Sequence, residues 1–153
     1  MTSPEQRLAA LGVTLPDAPR PAAAYVPVVR TGDLLFTSGQ VASDAGTLVA
    51  SGRVGAEVDL VRAQACARQC AVNVVAQLAA ELGDLGRVAR VVKLTVFVAS
   101  VEDFTEQHLV ANGASEFLAE VFGDLGRHAR SAVGVARLPL DSPVEVEAIV
   151  EVG

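Results

Sequence analysis

The residues able to do chemistry are few, and most have an ordinary explanation. Cys66 and Cys70 stand one helical turn apart, a spacing at which two thiolates could share a metal ion. A tetrahedral site needs two more ligands, and the chain's two histidines, His108 and His128, stand in no ligand spacing. The thiols read as small residues at a helix-packing edge, and no metal is expected. Gly-Asp-Leu-Gly occurs at 83–86 and again at 123–126. Each copy follows a helical pattern and precedes a strand-like one. A phosphate loop precedes a helix and carries a lysine, so both copies read as helix stops and no nucleotide is expected. Ser38 ends a strand-like run without a G-x-S-x-G elbow or a neighbouring base. Arg127-His128-Ala129-Arg130 gathers cationic groups before a strand, and Glu145, Glu147 and Glu151 mark one strand face. By residue type alone these read as a solvated loop and a wet strand face.

The elements that must position such residues follow from periodicity. Residues 4–11 form a short helix, with Ser3 as N-cap, Pro4 in the first turn and Gly12 as its stop. Residues 16–24 hold three prolines and read as an extended linker on the surface. The organisation is thus an N-terminal helix and linker over 1–24 and a single domain over 25–153. Two strands, Val26 to Arg30 and Leu34 to Ser38, flank a Thr31-Gly32-Asp33 turn, and a hairpin or loop follows from Ala42 to Gly55. From Asp59 to Leu82, Leu60, Ala63, Ala67, Ala71, Val74, Leu78 and Leu82 form an apolar stripe. Asp59, Arg62, Gln69, Asn73 and Gln77 form a polar one, so this is an amphipathic helix. Val88 to Ala99 is a strand buried on both faces. Ser100 is the expected N-cap of a second helix, with Asp103 in its first turn and Val110, Ala114, Phe117, Leu118 and Val121 on its buried side. Ser131 to Arg137 and Val144 to Val152 complete the set. In the last strand valines and Ala148 alternate with three glutamates and Ile149. The order predicts an α+β layer in which one sheet carries two long helices on one face.

Composition narrows the function classes. The 153-residue chain is 51% hydrophobic and 20% charged, more apolar than a soluble monomer of its size easily hides. Burial between subunits is the expected remedy. A net charge of −6, no tryptophan and one tyrosine offer little to phosphates or stacked bases, so no nucleic-acid partner is expected. Met1 to Leu15 lacks the pattern of a signal peptide. No charge-free apolar run is long enough to span a bilayer. A cytoplasmic location with no membrane partner is the expectation.

A set of motifs carries a resemblance. Tyr25, the run Leu34-Leu35-Phe36-Thr37-Ser38-Gly39-Gln40, Lys93-Leu94-Thr95-Val96-Phe97-Val98, Arg130-Ser131, Ala136-Arg137-Leu138-Pro139 and Val144-Glu145-Val146-Glu147-Ala148-Ile149 stand in that order. Together they resemble the successive motifs of the reactive intermediate deaminase family (Rid, YjgF-like, endoribonuclease L-PSP) over about residues 25–152. The N-terminal segment resembles that of a longer-chain subgroup. The resemblance implies a chorismate-mutase-like fold, assembled as a trimeric barrel of sheets with helices outside and a cleft at each subunit interface. It implies a small carboxylate substrate, a 2-imino acid or its enamine, hydrolysed to a 2-keto acid without cofactor or metal. Arg130 matches the arginine that binds the carboxylate and Glu145 the glutamate that positions water. Tyr25, Ser38, Gly39 and Asn112 match residues near the ligand. Ala132 stands where the deaminases often carry cysteine, and Gly134 where they often carry a larger polar residue, so both positions are expected to open the pocket. A member that keeps the cleft and binds carboxylates without turnover is the alternative.

Overall fold

A computed structural model describes residues 2–153; Met1 lies outside them. Three α-helices are present: α1 (Pro4–Ala10), α2 (Leu60–Leu82) and α3 (Gln107–Phe122). The strands are β1 (Val28–Thr31), β2 (Leu34–Thr37), β3 (Gln40–Val41), β4 (Ser43–Asp44), β5 (Thr47–Leu48), β6 (Val88–Ala99), β7 (Ala129–Val135) and β8 (Val144–Val152). The main sheet runs β1-β2-β8-β6-β7, with β3 also on β8, while β4 and β5 form a separate hairpin. Only β6 and β7 are parallel, so the sheet is mixed. The expected α+β class is what the chain adopts. Among the described residues no helix is long and apolar enough to cross a membrane.

Alternation along β8 sets the layers. Val144, Val146, Ala148, Val150 and Val152 are buried and share the core with Leu94, Val96 and Val98 of β6 and with the apolar stripes of α2 and α3. The two long helices therefore cover one face. Close approach is built in: a side chain on Gly113 of α3 would strike the Gln64 backbone of α2. On the other face Val29, Phe36 and Val133 remain exposed. Phe36 pairs with Ile149 and Val29 in register, so these three are contiguous, while Val133 stands beside Phe97 across the sheet.

The N-terminal helix forms as its cap dictates. Ser3 Oγ accepts from Gln6 N while the Gln6 side chain accepts from Ser3 N, a reciprocal capping box. Asp59 caps α2 by accepting from Arg62 N at 2.8 Å. The expected start of α3 is corrected. Ser100 does not cap it; the helix begins at Gln107, after Glu106, which makes no side-chain cap. Backbone pairing explains the delay. Ser100 N donates to Val135 O and Val101 N to Val54 O, which ties 100–101 to the sheet edge, and Ser100 Oγ donates to Val98 O instead of accepting from a helix amide. β7 likewise starts at Ala129, two residues before the expected Ser131, because Lys93 and Leu94 already pair with Ala129 and Arg130.

One short strand went unread, and it shapes the site. Phe36 pairs with Ile149 and Gln40 with Val146. Four steps on one strand therefore oppose three on the other, the signature of a β-bulge at 37–39. The bulge lets β2 break and β3 resume beside the start of β8.

Candidate functional site

Glu145 opens β8 opposite Val41 of β3 and Phe97 of β6. The bulge carries Gly39 beneath its carboxyl: a Cβ on Gly39 would lie 2.8 Å from the Glu145 carboxyl carbon. Only glycine leaves that space. Half-buried, Glu145 has its carboxyl pushed above the usual range, first by desolvation and then by the Glu147 charge. Such a group exchanges a proton more readily near neutrality than an exposed glutamate does.

Around Glu145 opens a cleft of about 570 Å³, lined among others by Tyr25, Gly39, Gln40, Leu140 and residues 16–22. The segment read as a surface linker is thus a wall of this cleft. Its attachment explains why the polar stripe of α2 is not wet. Gln77 Nε2 donates to Pro19 O at 2.6 Å and to Gln40 Oε1 at 3.3 Å. Asn73 Nδ2 donates to Val41 O and Ser43 O, and Gln69 Nε2 to Ser43 O. Asn73 and Gln77 are 1% and 2% exposed, so the stripe is a row of tethers. Their spacing on one helix face was visible in the sequence; what covered them was not.

Ser38 stands next to Gly39 at the cleft's edge. Its hydroxyl donates to Val26 O at 2.7 Å and its amide to Pro27 O. It fastens the Tyr25–Pro27 segment and is absent from the cleft lining.

Arg130 and Asn112 come together away from this cleft. Arg130 Nη1 donates to Asn112 Oδ1 at 2.9 Å and Ser115 Oγ at 3.0 Å, and Nη2 donates to His108 O at 3.0 Å. Helix α3 therefore holds one side of the guanidinium. Nε–H and the second Nη2–H take no acceptor among the described residues, and a fork of this kind suits a carboxylate. Behind Ser115, His128 Nε2 lies 2.9 Å from Oγ, and Nδ1 lies 2.6 Å from Gly126 O. Neither Ser115 nor this use of His128 was anticipated.

The register separates the two halves. Arg130 pairs with Leu94, and Glu145 with Phe97, three residues along the same β6. An odd offset puts them on opposite sheet faces, and strand spacings place their Cα atoms about 14 Å apart. Within one chain, Arg130 and Asn112 form one cluster and Glu145, Gly39 and Tyr25 another.

The expected openings beside Arg130 are also revised. Ala132 is half-buried and packs against the core. The space over Gly134 is filled: an added Cβ would meet Gln107 Nε2 at 2.9 Å and Ser100 Oγ at 3.0 Å. Gln107 is fixed there by bonds to Ser100 Oγ and Phe104 O. Gly134 makes room for that glutamine, and the two line a separate shallow cleft with Ser100 and Phe104. Cys66 and Cys70 are buried, and Cys70 Sγ donates to Val144 O at 3.4 Å. Burial pushes both thiols up, which makes them packing residues.

A mixed sheet with two covering helices, a cleft at a β-bulge and a buttressed arginine define a small α+β protein of one sheet layer and one helix layer. The chain belongs to the endoribonuclease L-PSP (Rid, YjgF-like) family, whose profile matches residues 15–152. It is 53% identical over 143 residues to Protein TCP17 of Trypanosoma cruzi, covering 92% of this chain and 89% of that one. It is 39% identical over 134 residues to the 2-iminobutanoate/2-iminopropanoate deaminase of Salmonella typhimurium, covering 87% and 91%. Among solved structures it resembles protein Atu1372 of Agrobacterium tumefaciens, with TM-score 0.92, 52% identity and coverage of 98% and 92%.

Proposed function

We propose that the protein hydrolyses 2-imino acids or their enamines to 2-keto acids, in clefts formed between copies of the chain in a homotrimer. The observation that carries this reading is Glu145, a half-buried carboxyl of raised pKa set over Gly39 in a cleft beside Tyr25. Two further facts support it. The Salmonella relative is named for this reaction. Arg130 and Glu145 lie on opposite faces of one sheet, and an exposed apolar sheet face is available to bring a second copy's arginine to the first copy's glutamate.

The chemistry follows from those groups. Arg130 pairs with the substrate carboxylate through its free N–H edge and fixes where the imine carbon lies. Glu145 accepts a hydrogen bond from a water molecule and takes its proton as oxygen bonds to that carbon. With the imine protonated at nitrogen, addition gives a neutral amino-alcohol; Glu145 returns the proton it took to the amine, ammonia leaves, and the hydroxyl proton is released as the C=O forms. Imine plus water gives keto acid plus ammonia, with no electron transferred and no cofactor required.

The test is a coupled assay. Amino-acid oxidases generate imines in place, and semicarbazide traps what is not hydrolysed. Wild type accelerates imine loss, and Arg130→Ala and Glu145→Gln lower the rate by on the order of 10²-fold or more at unchanged particle mass. Equal rates in wild type and Arg130→Ala would overturn the reading. Binding of carboxylates without turnover is the alternative; binding of keto acids that depends on Arg130, with no imine hydrolysed, would establish it.

A further inference from the structure

Leu140 is 70% exposed and sits on the cleft wall with Tyr25 and Glu145. Its backbone is left-handed, φ 61° and ψ 12°, and the next residue, Asp141, has φ 65°. Non-glycine residues rarely adopt this region, and a leucine there is strained. Nothing in the burial of Leu140 offsets that strain, because its side chain faces out.

The surrounding bonds force the conformation. Arg137 Nη1 donates to Asp141 Oδ1 at 2.9 Å. Asp141 N donates to Leu138 O, Ser142 N to Pro139 O, and Gly52 N to Asp141 O. Ser142, wholly buried, ties the loop's end to Val144 O and receives Ala42 N. The loop is thus pinned at both ends, and what it holds out is one leucine side chain. Glycine or asparagine would adopt the backbone with less strain.

The cleft facing Leu140 is largely apolar, walled by Pro16, Pro19, Pro21 and Ala18. At about 570 Å³ in the single chain, it leaves room beside Glu145 for a side chain longer than a methyl group. We propose that Leu140 is a specificity residue whose strained loop presents it to the substrate side chain, and that the chain prefers 2-imino acids with extended apolar side chains. This rests on the deaminase reading and adds the substrate class.

The experiment compares leucine-derived with alanine-derived imines in wild type, Leu140→Gly and Leu140→Asn. Wild type favours the leucine-derived imine in kcat/KM. Both variants lower that ratio by about 10-fold, as loss of a few methylene contacts does, while their Tm equals or exceeds that of wild type. An unchanged ratio would overturn the proposal. So would equal loss on both imines, or a change in assembly mass, since Leu140 would then be packing between copies. If wild type hydrolyses neither imine, the deaminase reading fails, and calorimetry with 4-methyl-2-oxopentanoate and pyruvate decides this proposal separately. Tighter binding of the branched acid, lost in Leu140→Gly, sustains it; equal binding of the two acids sinks it.

Discussion

The carboxyl of Glu145 occupies the space that a side chain on Gly39 would need, its Cγ 3.0 Å and its carboxyl carbon 2.8 Å from the position of a Cβ. Gly39 ends the bulge between β2 and β3, so the strand irregularity and the acid's position are one feature. Gly39→Ala must push the carboxyl off the cleft floor. Imine hydrolysis is expected to fall by on the order of 10²-fold, with a loss of stability no larger than about 1–3 kcal/mol. Steady-state kinetics beside a thermal melt separates the two. A variant that stays fully active would show that the carboxyl's position is not what the reaction uses.

The same carboxyl sets a dependence on pH. Desolvation, then the Glu147 charge, raises the Glu145 pKa above the ordinary carboxylate range. A carboxyl raised in the folded state favours folding fully below its unfolded pKa, and that contribution is lost as pH rises through the folded value. Glu145→Gln cannot ionise. Its Tm should exceed that of wild type by about 1–3 °C at pH 8, and the difference should close near pH 4. Activity runs the opposite way, since only the ionised form accepts a proton from water, so wild-type kcat should rise with pH through the raised pKa. A Tm difference that is constant between pH 4 and 8 would contradict the burial of this group.

Donor and acceptor roles behind Arg130 are fixed by elimination. The Gly126 carbonyl can only accept, so His128 Nδ1 donates to it. In the neutral ring Nε2 must then accept, and Ser115 Oγ supplies the proton. The Ser115 lone pair receives Arg130 Nη1. Ser115→Ala cuts this chain and frees one side of the guanidinium. Because a carboxylate anchor binds ground state and transition state alike, KM should rise about 10-fold with kcat within about 3-fold. A fall in kcat at constant KM would assign Arg130 to the chemical step instead.

How far these arrangements were legible depends on whether the signal was local. The stripes of α2 and α3, the full extent of β6 and the alternation of β8 are periodic and could be read directly. The Ser100 cap failed because pairing with Val135, thirty-five residues away, ties the residue to the sheet and its hydroxyl goes to Val98 O, and the local sequence holds no trace of that pairing. Arg130 and Glu145 could be picked by resemblance, yet their separation across the sheet follows from register, which needs β6 between them. The proline-rich segment looked like a linker because prolines remove periodicity. Its role depends on buried donors on α2 that, by type, belong in water.

Those donors give the sharpest test of the cleft wall. Gln77 is 2% exposed, and its amide holds Pro19 O and Gln40 Oε1 together. Gln77→Leu nearly preserves volume but removes both donors, leaving the part-buried Pro19 carbonyl and the buried Gln40 amide oxygen without this partner. Such orphaned acceptors cost about 1–3 kcal/mol each, so Tm should fall by several degrees. The loss should also be local, because residues 16–22 owe their place to this bond and to little periodic structure of their own. Hydrogen exchange should quicken over 11–25, while the amides of β6 and β8 keep their protection. If exchange instead quickens evenly through the sheet, Gln77 is a core packing residue and the wall stands without it. If only the segment loosens and KM for extended apolar imines rises with it, the segment is a working part of the cleft.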